Sequence, residues 1–276
     1  MPSPYLSAEE ESLIARRMRE LAVIAGRKTL EFFRSADLVS RNKTDGTPVS
    51  EADLAANTVI MDGLHASFPH LPVVSEEEGS DVPEDWADPF FLIDPLDGTK
   101  EFIRGDGQYT VNIALIAGHA PLLGVVYAPA VGRLQWTPRA GEAAEERPPH
   151  APDAVGELVR LACRTADNAA LTAVLSRSHY GEATRDLVGR YAIASANHAG
   201  SSLKFCLLAA GEADFYPRLS PTMEWDTAAA DAILRAAGGN VVDHPGGKDL
   251  IYGKPGLKNP FFIAHGPGVR LLPSGE

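Results

Sequence analysis

The stretch FFLIDPLDGTKEF, residues 90–102, sets the tightest limit on what this chain can fold into. Four apolar residues, Phe90 to Ile93, read as a buried strand, and the run stops at Asp94. Pro95 has no backbone donor and Gly98 favours a turn, so the strand is expected to break after Asp94. On a regular strand, side chains i and i+2 share a face while i and i+3 do not. A turn would let Asp94 and Asp97 converge, with the N–H groups of Gly98 and Thr99 beside them. Two close carboxylates repel each other unless a cation lies between them. Oxygen-only ligands suit Mg2+, which keeps waters and phosphate oxygens in its coordination shell. The same text also suits a surface turn, since Asp and Gly are common turn formers.

Around this stretch the pattern is mixed. Ser7-Ala8-Glu9-Glu10 is a capping box, and apolar residues at helical spacing predict a first helix to about Phe33. Ser50 opens a second helix that contains Gly63. LPVVS, PFFLI, YTVNIALIAG, PLLGVVYAP and RLQWTP read as strands, the middle pair as a hairpin about Gly118-His119-Ala120. RAGEAAEERPPHAPDAVGE, rich in charge and Pro, reads as a long loop or boundary between an N-terminal half, 1–150, and a C-terminal half, 151–276. Beyond it, strands LTAVLSRS, ADFYPR, NVVDH and NPFFIAHG alternate with helices SSLKFCLLAAG and DTAAADAILRAAGG, with Gly211 and Gly238 at helix ends.

The chain has 276 residues and a formal net charge of −12, which argues against a nucleic-acid surface. No stretch approaches the roughly 18 apolar residues of a membrane span. The N-terminus is acidic where a secretory signal would be basic, and Cys163 and Cys206 form no CxxC pair, so a cytoplasmic location is expected. Small anionic substrates stay compatible with the acidity if metal ions invert the local charge. Further acids stand ready: Glu76 at the end of LPVVS, Asp226 after Trp225, and Asp53 in Ser50-Glu51-Ala52-Asp53. Each also has a purely structural role open to it, Glu76 as a solvated loop residue, Asp226 as a helix cap and Asp53 as part of a capping box.

A related text, DxDGT after an apolar strand, marks phosphatases with an aspartate nucleophile. There the acids stand at i and i+2 rather than i and i+3. DPLDGTKEF followed by WDTAAADAIL, with SEE upstream, resembles instead the inositol monophosphatase superfamily of Mg2+-dependent, lithium-sensitive phosphatases, whose signatures have the form DPxDGTxxF and WDxAAxxxxL. The resemblance runs from about Lys43 to Asp243. VIMDGL, TVNIALI, LGVVYAP, SRSH, SSLKFC and YPR are similar to its bacterial 3′(2′),5′-bisphosphate nucleotidase branch, which removes the 3′-phosphate of 3′-phosphoadenosine 5′-phosphate. The resemblance implies a layered αβαβα sandwich with the site between its halves. By position it makes Glu76, Asp94, the carbonyl of Leu96, Asp97 and Asp226 metal ligands. Asp53 and Thr99 become the pair that orients water, with Glu76 also in the catalytic set. Lys43, Gly98, Thr99, His179, Ser201, Lys204 and Arg218 become substrate contacts. Ser201 or Ser202 also suits a helix cap, Lys204 a solvated helix position and His179 an ordinary loop histidine. Inositol phosphate or fructose 1,6-bisphosphate as substrate, a covalent aspartyl-phosphate route, and a metal-dependent nucleotide sensor are the rival readings.

Overall fold

The computed structural model describes residues 5–35, 40–42, 48–79, 88–176 and 180–272. Helix α1, Ala8–Phe32, starts as its capping box dictates: Ser7 Oγ accepts the Glu10 N–H at 3.3 Å, and the Glu10 carboxylate accepts the Ser7 N–H at 2.8 Å. A short ribbon, β1 (Ser40–Asn42) with β2 (Pro48–Ser50), leads into α2, Glu51–Ser67. Strands β3 (Val73–Ser75), β4 (Phe90–Asp97), β5 (Thr110–Ala117), β6 (Ala120–Ala128), β7 (Arg133–Arg139), β8 (Glu142–Glu146) and β9 (Leu158–Arg160) then form a seven-stranded sheet in that order, with α3, Thr99–Ile103, after β4. The β5–β6 hairpin turns at Gly118 and His119, whose φ angles of 58° and 59° are those a tight primed turn requires.

A second sheet follows. Its elements are β10 (Leu171–Ser176), α4 (Glu182–Gly189), β11 (Ile193–Ala199), α5 (Leu203–Ala209), β12 (Phe215–Arg218), α6 (Ala228–Ala236), β13 (Asn240–Asp243) and β14 (Phe262–His265), with strand order β11-β10-β12-β14-β13.

Alternation along the strands builds the layers. Phe91, Ile93, Val111, Ile113 and Val125 face α1 and α2. Their neighbours Phe90, Leu92, Ala114 and Val126 face the other way, onto α5 and α6. The far side of those helices meets Val174, Tyr216, Val241 and Phe262 of the second sheet. Ala173, Leu175, Phe215 and Ile263 cover α4 on its outer face. The result is the αβαβα sandwich expected from the sequence. Small residues bring the central layer close: a Cβ on Gly124 of β6 would stand 2.1 Å from the Ala229 carbonyl oxygen of α6, so only glycine fits.

Two sequence expectations change. β4 does not end at Asp94. Asp94 pairs with Asn112 and Asp97 with Thr110, so Pro95 and Leu96 together oppose Val111 alone, a β-bulge. The extra residue absorbs the odd spacing and gives i and i+3 the shared face of i and i+2. The 139–157 segment is also more than a long loop, for it contains β8. One of its charges, Glu146, is internal: Arg19 of α1, 1% exposed, donates to Glu146 at 2.9 Å and to the Pro152 and Ala154 carbonyls at 3.0 Å each.

Candidate active site

The bulged end of β4 opens into a cavity of about 260 Å3 between the two sheets. Asp94 is buried there, and one carboxylate oxygen from each of Asp94, Asp97 and Asp226 lies within 4.8 Å of the others. Asp94 Oδ1 accepts the Leu96 N–H at 3.0 Å, which fixes the bulge. Leu96 sits in the bulge, and its carbonyl lies 3.4 Å from the Thr99 hydroxyl.

Asp226 is not the cap of α6 but ends a single 3-10 turn, Glu224–Asp226, before it. That turn is pinned from behind. Buried Glu224 accepts the Gly253 and Lys254 N–H groups at 2.6 and 3.1 Å, and the Met223 N–H donates to Asp226 Oδ2 at 2.9 Å. Burial, then Asp97, pushes the Asp226 carboxyl up to about 8. Burial, then Glu76, Asp97 and Asp226, holds Asp94 well above the usual carboxylate range. Three acids in mutual repulsion, with oxygen donors only, fit a hard divalent cation. Glu76 lines the same cavity at its edge, beyond the three-acid cluster but close enough to act on Asp94.

Behind Thr99 stands Asp53, 1% exposed. Its Oδ1 accepts the Thr99 hydroxyl at 3.0 Å, and its Oδ2 accepts the Ser50 N–H at 2.9 Å. Burial raises the Asp53 carboxyl above its ordinary value. Gly98, at φ 94°, turns the chain so that Thr99 begins α3 with its hydroxyl toward Asp53.

Further residues lining the cavity come from α5 and β12. Lys204 of α5 is buried, its Nζ 5.4 Å from the Tyr216 ring centroid, and burial pulls its ammonium down to about 8. Arg218 ends β12 beside it and donates to the Pro221 carbonyl at 3.3 Å, while its buried Nε has no partner among the described residues. Phe205 and Phe262 complete this apolar and cationic side. Ser201 lies at its edge with φ 52°, and its hydroxyl donates to Asp97 Oδ2 at 2.6 Å.

The structure therefore brings Glu76, Asp94, Leu96, Asp97, Gly98, Thr99, Ser201, Lys204, Arg218 and Asp226 to one cavity, with Asp53 behind it. Lys43 and His179 lie outside the described residues. Sequence reading passed over Thr110, Asn112 and Tyr216, and read Ser202 only as a candidate helix cap, the position it takes before α5. The signal for the first two was present: polar residues at i and i+2 inside the otherwise apolar TVNIALI.

Comparison with known proteins agrees with this geometry. The chain matches the inositol monophosphatase family over residues 10–266. It is 43% identical to the 3′(2′),5′-bisphosphate nucleotidase CysQ of Escherichia coli O157:H7, across 84% of this chain and 91% of that protein. It is 38% identical to the nucleotidase of the same name from Buchnera aphidicola, across 83% of each. Among solved structures, CysQ of Bacteroides thetaiotaomicron, described as a bacterial member of the inositol monophosphatase family, superposes with a TM-score of 0.80 at 34% identity, covering 94% of this chain and 98% of that one.

Proposed function

The chain belongs to the inositol monophosphatase family, and we propose that it is a Mg2+-dependent 3′(2′),5′-bisphosphate nucleotidase, releasing phosphate and AMP from 3′-phosphoadenosine 5′-phosphate. One observation carries the reading: a single cavity is lined both by a three-acid cluster and by Lys204, Tyr216 and Arg218. A bisphosphate nucleotide needs both sets of residues. The acids can serve only the phosphate to be cleaved, and a second phosphate requires cations of its own. The identity to named nucleotidases supports the same choice.

Asp94, Asp97, Asp226, Glu76 and the Leu96 carbonyl would hold the cation. Bound Mg2+ would neutralise acids and phosphate together and ease the loss of a proton from water. The remaining work falls to the chain. Thr99 donates its own proton to Asp53, so its oxygen lone pairs accept from a water entering the cavity. Asp53 is held on its other oxygen by Ser50 and stores the proton that the relay delivers. The Gly98 and Thr99 N–H groups lie where phosphate oxygens arrive. Lys204 and Arg218 anchor the 5′-phosphate, and Tyr216 offers its ring beside them.

Phosphate release is to be measured with 3′-phosphoadenosine 5′-phosphate, inositol 1-phosphate and fructose 1,6-bisphosphate, with Mg2+ and with EDTA. The nucleotide should be preferred and chelator should abolish turnover. Replacing Lys204 and Arg218 together by Ala should raise KM for the nucleotide at least about tenfold, the size of a lost charge-assisted contact. Inositol 1-phosphate turnover should barely move. A preference of the native protein for inositol phosphate would overturn the nucleotidase reading.

A further inference from the structure

Three alternate residues of one chain segment meet three consecutive residues of another across the seam between the sheets. Gln108 Oε1 accepts the Gly200 N–H at 2.8 Å. The Thr110 hydroxyl bonds the Ser201 hydroxyl at short range. The Asn112 amide donates to Ser202 Oγ at 3.0 Å. Thr110 and Asn112 are also the cross-strand partners of Asp97 and Asp94. The bonds run onward in one direction. Ser201 spends its proton on Asp97 Oδ2 at 2.6 Å, so Thr110 is the donor to Ser201. Ser202, receiving from Asn112, has one proton for two acceptors, Asp97 Oδ2 at 3.2 Å and the Asp226 carbonyl at 2.9 Å. The seam thus clasps the acid of one half and the backbone of the acid from the other.

We infer that Thr110 and Asn112 are positioning residues for the cation site, acting through Ser201 and Ser202 to set where Asp97 and Asp226 stand, without touching substrate. Both side chains are essentially closed to solvent, at 0% and 1% exposure, which keeps them from meeting substrate directly. Ser201 adopts a left-handed backbone, φ 52°, that a non-glycine residue keeps only where its surroundings enforce it. The Thr110 bond supplies part of that enforcement. Fixing the partners of a ligand group commonly changes metal affinity about 10- to 100-fold, so the effect is measurable.

The inference rests on the reading that Asp97 and Asp226 hold a cation, and the test separates the two. Protein stripped with EDTA is titrated with Mn2+ and the bound ion is read by electron paramagnetic resonance, independent of turnover. Native protein that binds no Mn2+ would sink the cation reading itself. If it binds, Thr110→Val should raise Kd about tenfold or more, and Thr110→Ser should restore it. In a Ser201→Ala background Thr110→Val should add nothing, because its route is already cut. A change in thermal stability alone, with Kd for Mn2+ unmoved in folded Thr110→Val, overturns the inference. Should that variant not fold, Asn112→Ala carries the same expectation through Ser202, and an unmoved Kd there overturns it equally.

Discussion

Asp97 receives two serine hydroxyls and faces two other acids, so its charge matters more than its bulk. Asp97→Asn keeps the shape and removes one negative ligand. Phosphate release should fall by about two orders of magnitude or more, the scale of several kcal/mol of lost charge stabilisation, while circular dichroism stays native. Turnover near the native rate would remove Asp97 from the ligand set. The same cluster predicts how metal-free protein responds to pH. Asp226 titrates near 8 in the folded chain, Asp94 is raised as well, and an aspartate in the open chain titrates near 3.9. Between these values the native state holds protons that the unfolded chain releases, so stability falls as pH rises. In EDTA the urea midpoint should be lower at pH 8 than at pH 5. A midpoint that rises across this window would mean that burial and the neighbouring acids do not raise these carboxyls in the folded protein.

At the scale of elements, the buried ion pair between α1 and β8 is a costly contact to break. Arg19→Met leaves Glu146 charged and closed off from solvent, and should lower unfolding free energy by about 3–5 kcal/mol. Replacing Glu146 by Leu in the same chain should recover much of that loss, as urea titrations would show. This pair also explains why β8 escaped sequence reading. Glu142-Ala143-Ala144-Glu145-Glu146 has the composition of a loop or helix, and only pairing with β7 and β9, with Arg19 127 residues away on Glu146, makes it a strand. Helix α4 and edge strand β11 escaped for a plainer reason: α4 is only eight residues long, too short for its period to stand out, and most β11 residues are exposed. By contrast α1, the β5–β6 hairpin and α6 were legible from a capping box, a tight turn and an apolar period respectively. Asp94 and Asp97 were legible as a pair. The bulge that unites them was not, because pairing register belongs to two strands at once, and Thr110 reads as an ordinary strand former.

For the whole molecule, we propose that residues 1–150 and 151–276 divide the labour of the site, the first supplying Asp53, Glu76, Asp94, Asp97 and Thr99, the second Asp226, Lys204 and Arg218. The helices α5 and α6 belong to both, since they bury one face on each sheet. Acids drawn from β4 and from the turn before α6 meet only when both sheets are docked on those helices. An ion held by all of them recognises the assembled protein and ignores the open chain. Mass action then makes divalent concentration a control on persistence: at a hundredfold excess over Kd the assembled state gains about 2.7 kcal/mol, and each further decade adds about 1.4. The melting temperature of the native protein should climb with the logarithm of Mg2+ concentration, while Asp97→Asn should show a flat line. A protein of this design is less durable wherever its ion is scarce, so chelation would shorten its lifetime against proteases as well as stop its chemistry.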